Sequence, residues 1–416
     1  MNTKIFLSIL SGCLVVFLLA VSLVTVMAES HLTSGEQLGK SIFFDEDLSI
    51  NKNQSCAACH APEVGWTGPL NDTNAGGAVY EGSITGRFGN RKPPSSAYAT
   101  QSPILHFIIE KKEPLFIGGN FWDGRATGEK LGNPAADQAQ GPFLNPLEQA
   151  LPSPADVVEK VCTSDYGNLF TEFWGPEVCE PGNVAMAYDS IALSIAAYEA
   201  SPESNAFTSK FDYSFSGKVK LSKQEQRGYA LFRGKGKCHL CHIGNGQMAL
   251  FTDFTYDNLG LPRNPDNPFY YADPEFNPLG YEWVDQGLGA FLDSRGDYEA
   301  YAEMNIGKQK VPTLRNVGKL SCEAEPDNPD CIVKAYGHNG YFKTLEDIVH
   351  FYNTRDVKDV CPGDYTEAEA LAANCWPPPE VAENVNSDEL GDLGLTPNEE
   401  AAIVAFLKTL SDGFAP

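Results

Sequence analysis

The sequence is short of positive charge. Thirty Lys and Arg stand against 55 Asp and Glu, leaving a formal net charge of −25. A nucleic-acid binder needs a basic face to track phosphates, and attachment to anionic lipid needs a basic patch, so this balance argues against both. A basic protein partner fits it better. Strand signals are also scarce and short, while long loops carry many of the 28 Pro and 38 Gly. The chain is therefore read as mainly α-helical with long irregular segments, a design that needs something besides its own core to order it. Histidine is scarce too, at 7 in 416 residues, so each one can be weighed as a ligand. Wholesale disorder is excluded, because 42% apolar and 20% charged residues are ordinary for a globular protein. The length allows two or three domains.

After Lys4 an apolar stretch runs from Ile5 to Met27 and ends in Val26-Met27-Ala28, a small-residue site for cleavage before Glu29. Residues 1–28 are expected to be a signal peptide. The stretch is also long enough to serve as an uncleaved anchor. Leu10-Ser11-Gly12-Cys13 is a weaker match to a lipoprotein box. All three readings export the chain, to the periplasm or the cell surface, with no membrane insertion of the mature part. The 11 cysteines agree. Cys13 lies in the leader, four belong to motifs described below, and six remain: Cys162, Cys179, Cys322, Cys331, Cys361 and Cys375. Six cysteines allow 15 connectivities. Nearest-neighbour bridges 162–179, 322–331 and 361–375 are the simplest, each stapling one loop in an oxidising compartment.

Two segments share one plan, a helix followed by C-x-x-C-H. Ser34-Gly35-Glu36-Gln37 opens the first helix, with Leu38, Ile42 and Phe43 at helical spacing. Ser222-Lys223-Gln224-Glu225 reads as a capping box for the second, with Tyr229, Leu231 and Phe232 following. This weak internal repeat predicts two related domains, 29–212 and 213–416. Asn183 to Ala200 reads as a helix that closes the first, and Ser201 to Lys220 is the polar boundary. Thr396-Pro397-Asn398-Glu399 caps a last helix with an apolar face at Ile403, Val404, Phe406, Leu407 and Leu410.

Cys56-Ala57-Ala58-Cys59-His60 and Cys238-His239-Leu240-Cys241-His242 match covalent haem c attachment. Two thiols three positions apart add to the two vinyl groups of one haem, and the next residue, His, then lies under the iron. Zinc would need four ligands, and no further C-x-x-C or H-x-x-x-H stands at finger spacing. Two haems c are expected, with His60 and His242 as proximal ligands. The sixth positions decide function: two strong protein ligands give electron transfer, while an open iron reacts with peroxide. No His lies between His60 and His106, so the first haem is expected to be open.

The order of motifs resembles the bacterial dihaem cytochrome c peroxidase and MauG superfamily over nearly the whole mature chain. The carriers are Leu38-Gly39-Lys40 with Phe43-Phe44-Asp45, Phe121-Trp122-Asp123-Gly124-Arg125-Ala126, Val311-Pro312-Thr313-Leu314-Arg315-Asn316, His338-Asn339-Gly340 and Thr344-Leu345-Glu346-Asp347. The resemblance implies two cytochrome-c-like helical domains, one haem c in each, with the active site on the first. It makes Trp122 the tryptophan between the haems, although Trp is often buried for packing alone. It matches Gln138 and Glu148 to a distal glutamine and a catalytic glutamate, and Pro142 to a distal-pocket proline. A carboxylate in a partly dry pocket suits proton shuttling in peroxide cleavage; without the resemblance, Glu148 would read as a surface residue.

The resemblance also implies which branch. No loop histidine is available to cap the first iron, as in MauG-like members. At the second haem the family's peroxidases place Met where Tyr352 stands here, and MauG-like proteins use Tyr. A phenolate is a hard donor that favours oxidised iron, where a thioether favours reduced iron. Met304, Met248 and His350 remain alternatives. Two departures stand out. MauG carries a surface Trp two residues before its second haem motif, where this chain has Gly236, so oxidation of the same tryptophan-tryptophylquinone precursor is doubtful. The family also holds a calcium ion between the haems with an Asn in R-N-x-P; here Arg91-Lys92-Pro93-Pro94 has Lys92 at that position, leaving Asn90 as a substitute ligand or the Lys92 ammonium in place of the cation.

The expected function is a MauG-like dihaem peroxidase that uses hydrogen peroxide to oxidise a redox partner or substrate protein, including modification of a side chain on that protein. The alternatives are a conventional peroxidase fed by a small redox protein, and a non-catalytic dihaem electron carrier.

Overall fold

A computed structural model describes residues 32–69, 78–321 and 334–416. The leader and the Cys322–Cys331 pair lie outside the described residues. Leu32–Pro416 pack into one compact unit. In chain order its α-helices are α1 (Ser34–Phe43), α2 (Cys56–Cys59), α3 (Pro134–Ala139), α4 (Gly141–Leu144), α5 (Pro154–Thr163), α6 (Gly167–Trp174), α7 (Val184–Glu199), α8 (Lys210–Phe215), α9 (Lys223–Arg233), α10 (Gly287–Asp293), α11 (Leu345–Thr354), α12 (Glu367–Ala373) and α13 (Pro397–Lys408). Long irregular segments join them. None of the described helices is long and apolar enough to cross a membrane.

The caps follow the sequence closely. Ser222 and Glu225 form the expected capping box of α9, and Thr396 and Glu399 that of α13, with Pro397 in its first turn. At α1 the cap is Thr33, one residue ahead of the serine: its hydroxyl accepts from the Glu36 N–H while the Glu36 carboxylate accepts from the Thr33 N–H. The Cys162–Cys179 and Cys361–Cys375 disulfides are present as expected. The first ties the end of α5 to the turn before α7, and the second ties the loop after α11 to the segment after α12.

The internal repeat has a physical basis in two helix crossings. α1 lies on α7, and a Cβ on Gly39 would sit 1.9 Å from the Ser194 carbonyl oxygen. α9 lies on α13, and a Cβ on Gly228 would sit 1.8 Å from the Ala402 carbonyl oxygen. In each half, a glycine on the helix before C-x-x-C-H lets it approach the closing helix backbone to backbone. Around the first crossing pack Leu38, Ile42, Phe43, Val157, Ile191, Ile195 and Tyr198; around the second, Phe211, Phe232, Phe251, Ile403, Phe406 and Leu410.

Strands are few, as expected, but one hairpin was not foreseen. β1 (His106–Glu110) pairs antiparallel with β2 (Glu113–Ile117). Its two turn residues, Lys111 and Lys112, have φ of 50° and 75°, positions normally given to Asn-Gly or Gly-Gly. The remaining strands are two-residue pairs: β3 (Tyr256–Asp257) with β4 (Gln309–Lys310), antiparallel, and β5 (Asp359–Val360) with β6 (Cys375–Trp376), parallel.

Because the crossings leave no space, Gly39→Ala and Gly228→Ala should each lower the stability of the holoprotein by at least about 3 kcal/mol, the upper range for overpacking. Gly363→Ala, where a Cβ meets nothing within 4 Å, should stay within about 0.5 kcal/mol. Denaturant midpoints measure both. Equal midpoints for all three variants would refute the backbone-to-backbone crossing.

Candidate functional site

Each C-x-x-C-H motif forms a short helical turn that puts its histidine at the wall of a cavity. The Cys56 carbonyl accepts from the His60 N–H at 2.9 Å, and the Cys238 carbonyl from the His242 N–H at 2.9 Å. The imidazoles are fixed by backbone oxygens downstream: His60 Nδ1 lies 3.3 Å from the Trp66 carbonyl and His242 Nδ1 lies 3.0 Å from the Phe251 carbonyl. With Nδ1 as donor, Nε2 presents its lone pair, the tautomer a metal requires. Burial pushes both imidazoles down to about 4, so they stay neutral ligands near pH 7.

The His242 cavity is the larger, about 1560 Å³ with its open mouth. Leu261, Leu345, Ile348, Val349, Leu393, Ile403 and Leu407 give it apolar walls suited to a macrocycle, and Cys238, Cys241 and Tyr352 line it with His242. Tyr352 reaches the cavity from α11, and burial pushes its phenol above the ordinary tyrosine range. The other candidates for the same place are elsewhere. Met248 and Met304 are 61% and 39% exposed. His350, on the same helix, turns to the Glu400 carboxylate at 3.0 Å.

The His60 cavity, about 660 Å³, is lined among others by Tyr98, Trp122, Gln138, Glu199, Phe254 and Lys310. Apart from His60 and Glu199, its lining side chains able to ligate iron directly are committed. The Tyr98 hydroxyl donates to Asp412 at 2.6 Å, and the Lys310 amine donates to Ser102 Oγ, Asn120 Oδ1 and the Gly119 carbonyl. His106 stands exposed on the β1–β2 hairpin and contacts the Ile104 carbonyl. Gln138 comes from α3. Pro142, on α4, and Glu148, in the turn after it, are half-buried, and neither is among the residues that line this cavity. Burial raises the Glu148 carboxyl above its ordinary value, while Arg125 and Asn145 draw it partly back.

Trp122 lines both cavities. Its indole N–H donates to the Lys92 carbonyl at 2.7 Å, and its own carbonyl accepts from the Lys310 N–H at 2.7 Å. The wall it belongs to contains residues that sequence reasoning did not single out. Arg91 pairs with Asp285 through Nε at 2.6 Å and with Asp123. Burial would push the Asp285 carboxyl up, but Arg91 holds it well below the usual carboxylate range. His338, known only from its motif, sits 3.4 Å from Glu380 with its ring centroid 6.4 Å from that of Trp122. Glu199, whose carboxyl burial pushes up to about 8, has an oxygen without a hydrogen-bond partner at the His60 cavity. Nothing in its sequence, a Glu at a helix end, signalled this.

The residues fit two haems c: paired thiols, neutral histidines and apolar walls. They do not fit a calcium ion between them. The Asn90 carbonyl is used by Asn267 at 3.2 Å, and the buried Lys92 amine, at the position expected to offer an oxygen, donates to Thr67 Oγ1 at 2.5 Å and the Pro93 carbonyl at 3.2 Å. Gly236 sits tightly: a Cβ would lie 3.0 Å from Ile403 Cδ1 and from the Leu231 carbonyl oxygen, so a larger side chain there needs its neighbours to give.

Comparison with known proteins agrees with this geometry. Residues 33–220 match the family model for di-haem cytochrome c peroxidase. The chain is 35% identical over 381 residues to the methylamine utilization protein MauG of Paracoccus denitrificans, covering 90% of this chain and 88% of that one. It is 28% identical to the cytochrome-c peroxidase IdrP1 of Denitromonas iodatirespirans, covering 93% and 84%. Among solved structures, the diheme peroxidase BthA of Burkholderia thailandensis superposes with a TM-score of 0.71 at 28% identity, covering 91% and 86%. With two haem-attachment motifs facing two cavities, the chain belongs to the dihaem cytochrome c peroxidase and MauG family of haem oxidoreductases.

Proposed function

We propose that the chain is a MauG-like member of its family, reacting with hydrogen peroxide in the His60 cavity and oxidising a partner protein with the help of the His242 cavity. The observation that carries the reading is the asymmetry of the two linings. Beside His60, Tyr98 and Lys310 are tied to other partners and the remaining group able to ligate is the Glu199 carboxyl, which burial pushes towards its neutral form, whereas Tyr352 faces the cavity of His242. A haem supplies an iron that reacts with peroxide where its sixth position is open and relays electrons where it is filled.

The protein's own groups supply the rest. His60 and His242 would each hold one haem iron, and Tyr352 would be a second ligand at the His242 site. Glu148 takes a proton from one peroxide oxygen and delivers it to the other; a carboxyl raised by burial is suited to both transfers. Gln138 orients the peroxide, and Pro142 keeps the approach partly dry. Trp122, at the wall of both cavities, relays the second oxidising equivalent. Residues 29–212 and 213–416 act as two haem domains, each built on one glycine crossing. The two disulfides favour an oxidising compartment, so the mature protein works in the periplasm or at the cell surface.

The net charge of −25 favours a partner with a basic face. Because Gly236 stands where MauG carries its surface tryptophan, the partner is taken to be a different protein from a tryptophan-tryptophylquinone precursor. The same charge is compatible with a conventional peroxidase fed by a small basic cytochrome, and the ligand at the second haem separates the two.

The resting holoprotein should show one high-spin and one low-spin ferric EPR signal. Two low-spin signals would make it an electron carrier. Tyr352→Met should change the low-spin signal and raise that haem's potential, since thioether ligation favours the reduced state; an unchanged spectrum removes Tyr352 from the iron.

Glu148→Gln should slow the reaction with peroxide by about 10²-fold or more, with both haems still attached. The parent rate should fall as pH drops through a midpoint above that of an ordinary glutamate, because the proton-accepting form is lost there. Stopped-flow traces against pH test this, and a variant with parental kinetics would end the assignment.

A further inference from the structure

The wall between the cavities carries two lysine side chains that face inward. Lys92 is 7% exposed. Its amine donates to Thr67 Oγ1 and to the Pro93 carbonyl, both uncharged. Lys310 lines both cavities, and its amine donates to the Gly119 carbonyl, Ser102 Oγ and Asn120 Oδ1, again all uncharged, while lying 5.5 Å from the Phe254 ring centroid. Among the described residues neither has a carboxylate partner within 4 Å. Most buried ammonium groups are paired, and leaving one unpaired is costly. Here two occur within one structural unit, because the backbones of Lys92 and Lys310 bind Trp122 from opposite ends. Lys92 accepts from its indole N–H, and Lys310 donates to its carbonyl. The Lys92 N–H in turn donates to the His338 carbonyl at 2.8 Å.

We propose that Lys92 and Lys310 are the built-in cations of this wall, making it independent of calcium and raising the potentials of both haems. Each haem brings two carboxylates, which give the ammoniums the counter-charge that the protein withholds. A fixed positive charge near an iron favours its reduced state, and the effect is strong in a partly dry wall. An ammonium also repels a divalent ion, which accounts for the poor fit of calcium at Asn90–Pro94. The inference rests on the presence of two haems and not on which molecule they oxidise.

The test uses the full holoprotein after dialysis against a chelator. Metal analysis should find less than about 0.1 calcium per chain, and added calcium or EGTA should leave both ferric EPR signals unchanged. Lys92→Met and Lys310→Met should each retain two haems while the potential of at least one falls, by a factor of about ten in its reduction equilibrium (about 59 mV). Lys92→Arg and Lys310→Arg keep the charge and should restore the parental potentials, which separates charge from packing if a methionine variant folds poorly. One calcium per chain surviving dialysis, or methionine variants with parental potentials, would overturn the proposal. Failure of the Tyr352 or Glu148 tests would leave these measurements unaffected.

Discussion

The molecule depends on how firmly one segment, Gln309–Asn316, is held. The segment is pinned at nearly every residue. Lys310 N–H donates to Trp122, Val311 N–H to Thr255, and the Val311 carbonyl accepts from Thr252 at 2.7 Å. Thr313 Oγ1 donates to Leu250 at 2.6 Å. Arg315, 1% exposed, makes two bonds to Asp212 at 2.6 and 2.8 Å and lies 4.7 Å from the Phe207 ring centroid. Asn316 accepts from the Asp412 N–H at 2.7 Å, and Asp412 in turn accepts from the Tyr98 hydroxyl. Because Lys310, Val311, Pro312 and Thr313 line both cavities, this one segment sets their common wall. The buried Arg315–Asp212 pair need not add stability, since desolvation offsets much of the attraction, but removing one partner would strand a charge. Its contribution is to fix the register of the wall.

The two cavities share one plan and differ in what lines them. Both histidines are oriented by a backbone carbonyl several residues downstream, a device that side-chain substitution cannot easily erase. The distinction lies across from them. α11 carries Tyr352 into the second cavity, while the cavity of His60 receives the Gln138 amide from α3 and the raised Glu199 carboxyl from the end of α7. Under the proposed function the first arrangement serves electron transfer and the second proton handling. Trp122 joins them without belonging to either, held by main-chain bonds that stay constant as charges change around it.

Much of this was legible because the signals are local. The haem motifs, the capping boxes of α9 and α13, α7 and the two disulfides within the described residues depend on spacing over a few residues. Sequence could not show what depends on two distant segments meeting. Gly39 and Gly228 read as ordinary helix glycines until the opposing carbonyls of Ser194 and Ala402 are seen. The β1–β2 hairpin turns on Lys111-Lys112, residues without turn chemistry, so tertiary context decides it. Glu199 carries no signal in the sequence, and only the fold buries it at the His60 cavity. The cap of α1 slipped by one residue because Thr33 and Ser34 are both competent caps, and the reach of the Glu36 carboxylate chose between them.

The position of Lys92 shows how a family can exchange one form of charge for another. A divalent ion can be lost to chelation and regained, so a wall built on it is conditional on the surroundings. An ammonium on the chain cannot leave, and its bonds to Thr67 and Pro93 place it once folding is complete. The cost is desolvation, which pushes both Lys92 and Lys310 down to about 7 when burial acts alone. An anion brought into the wall would reverse that shift, and the carboxylates of bound haems would supply one. Charge, cofactor and fold would then depend on one another: the macrocycle would keep the amines charged, and the amines would stabilise the wall against which Trp122 is held.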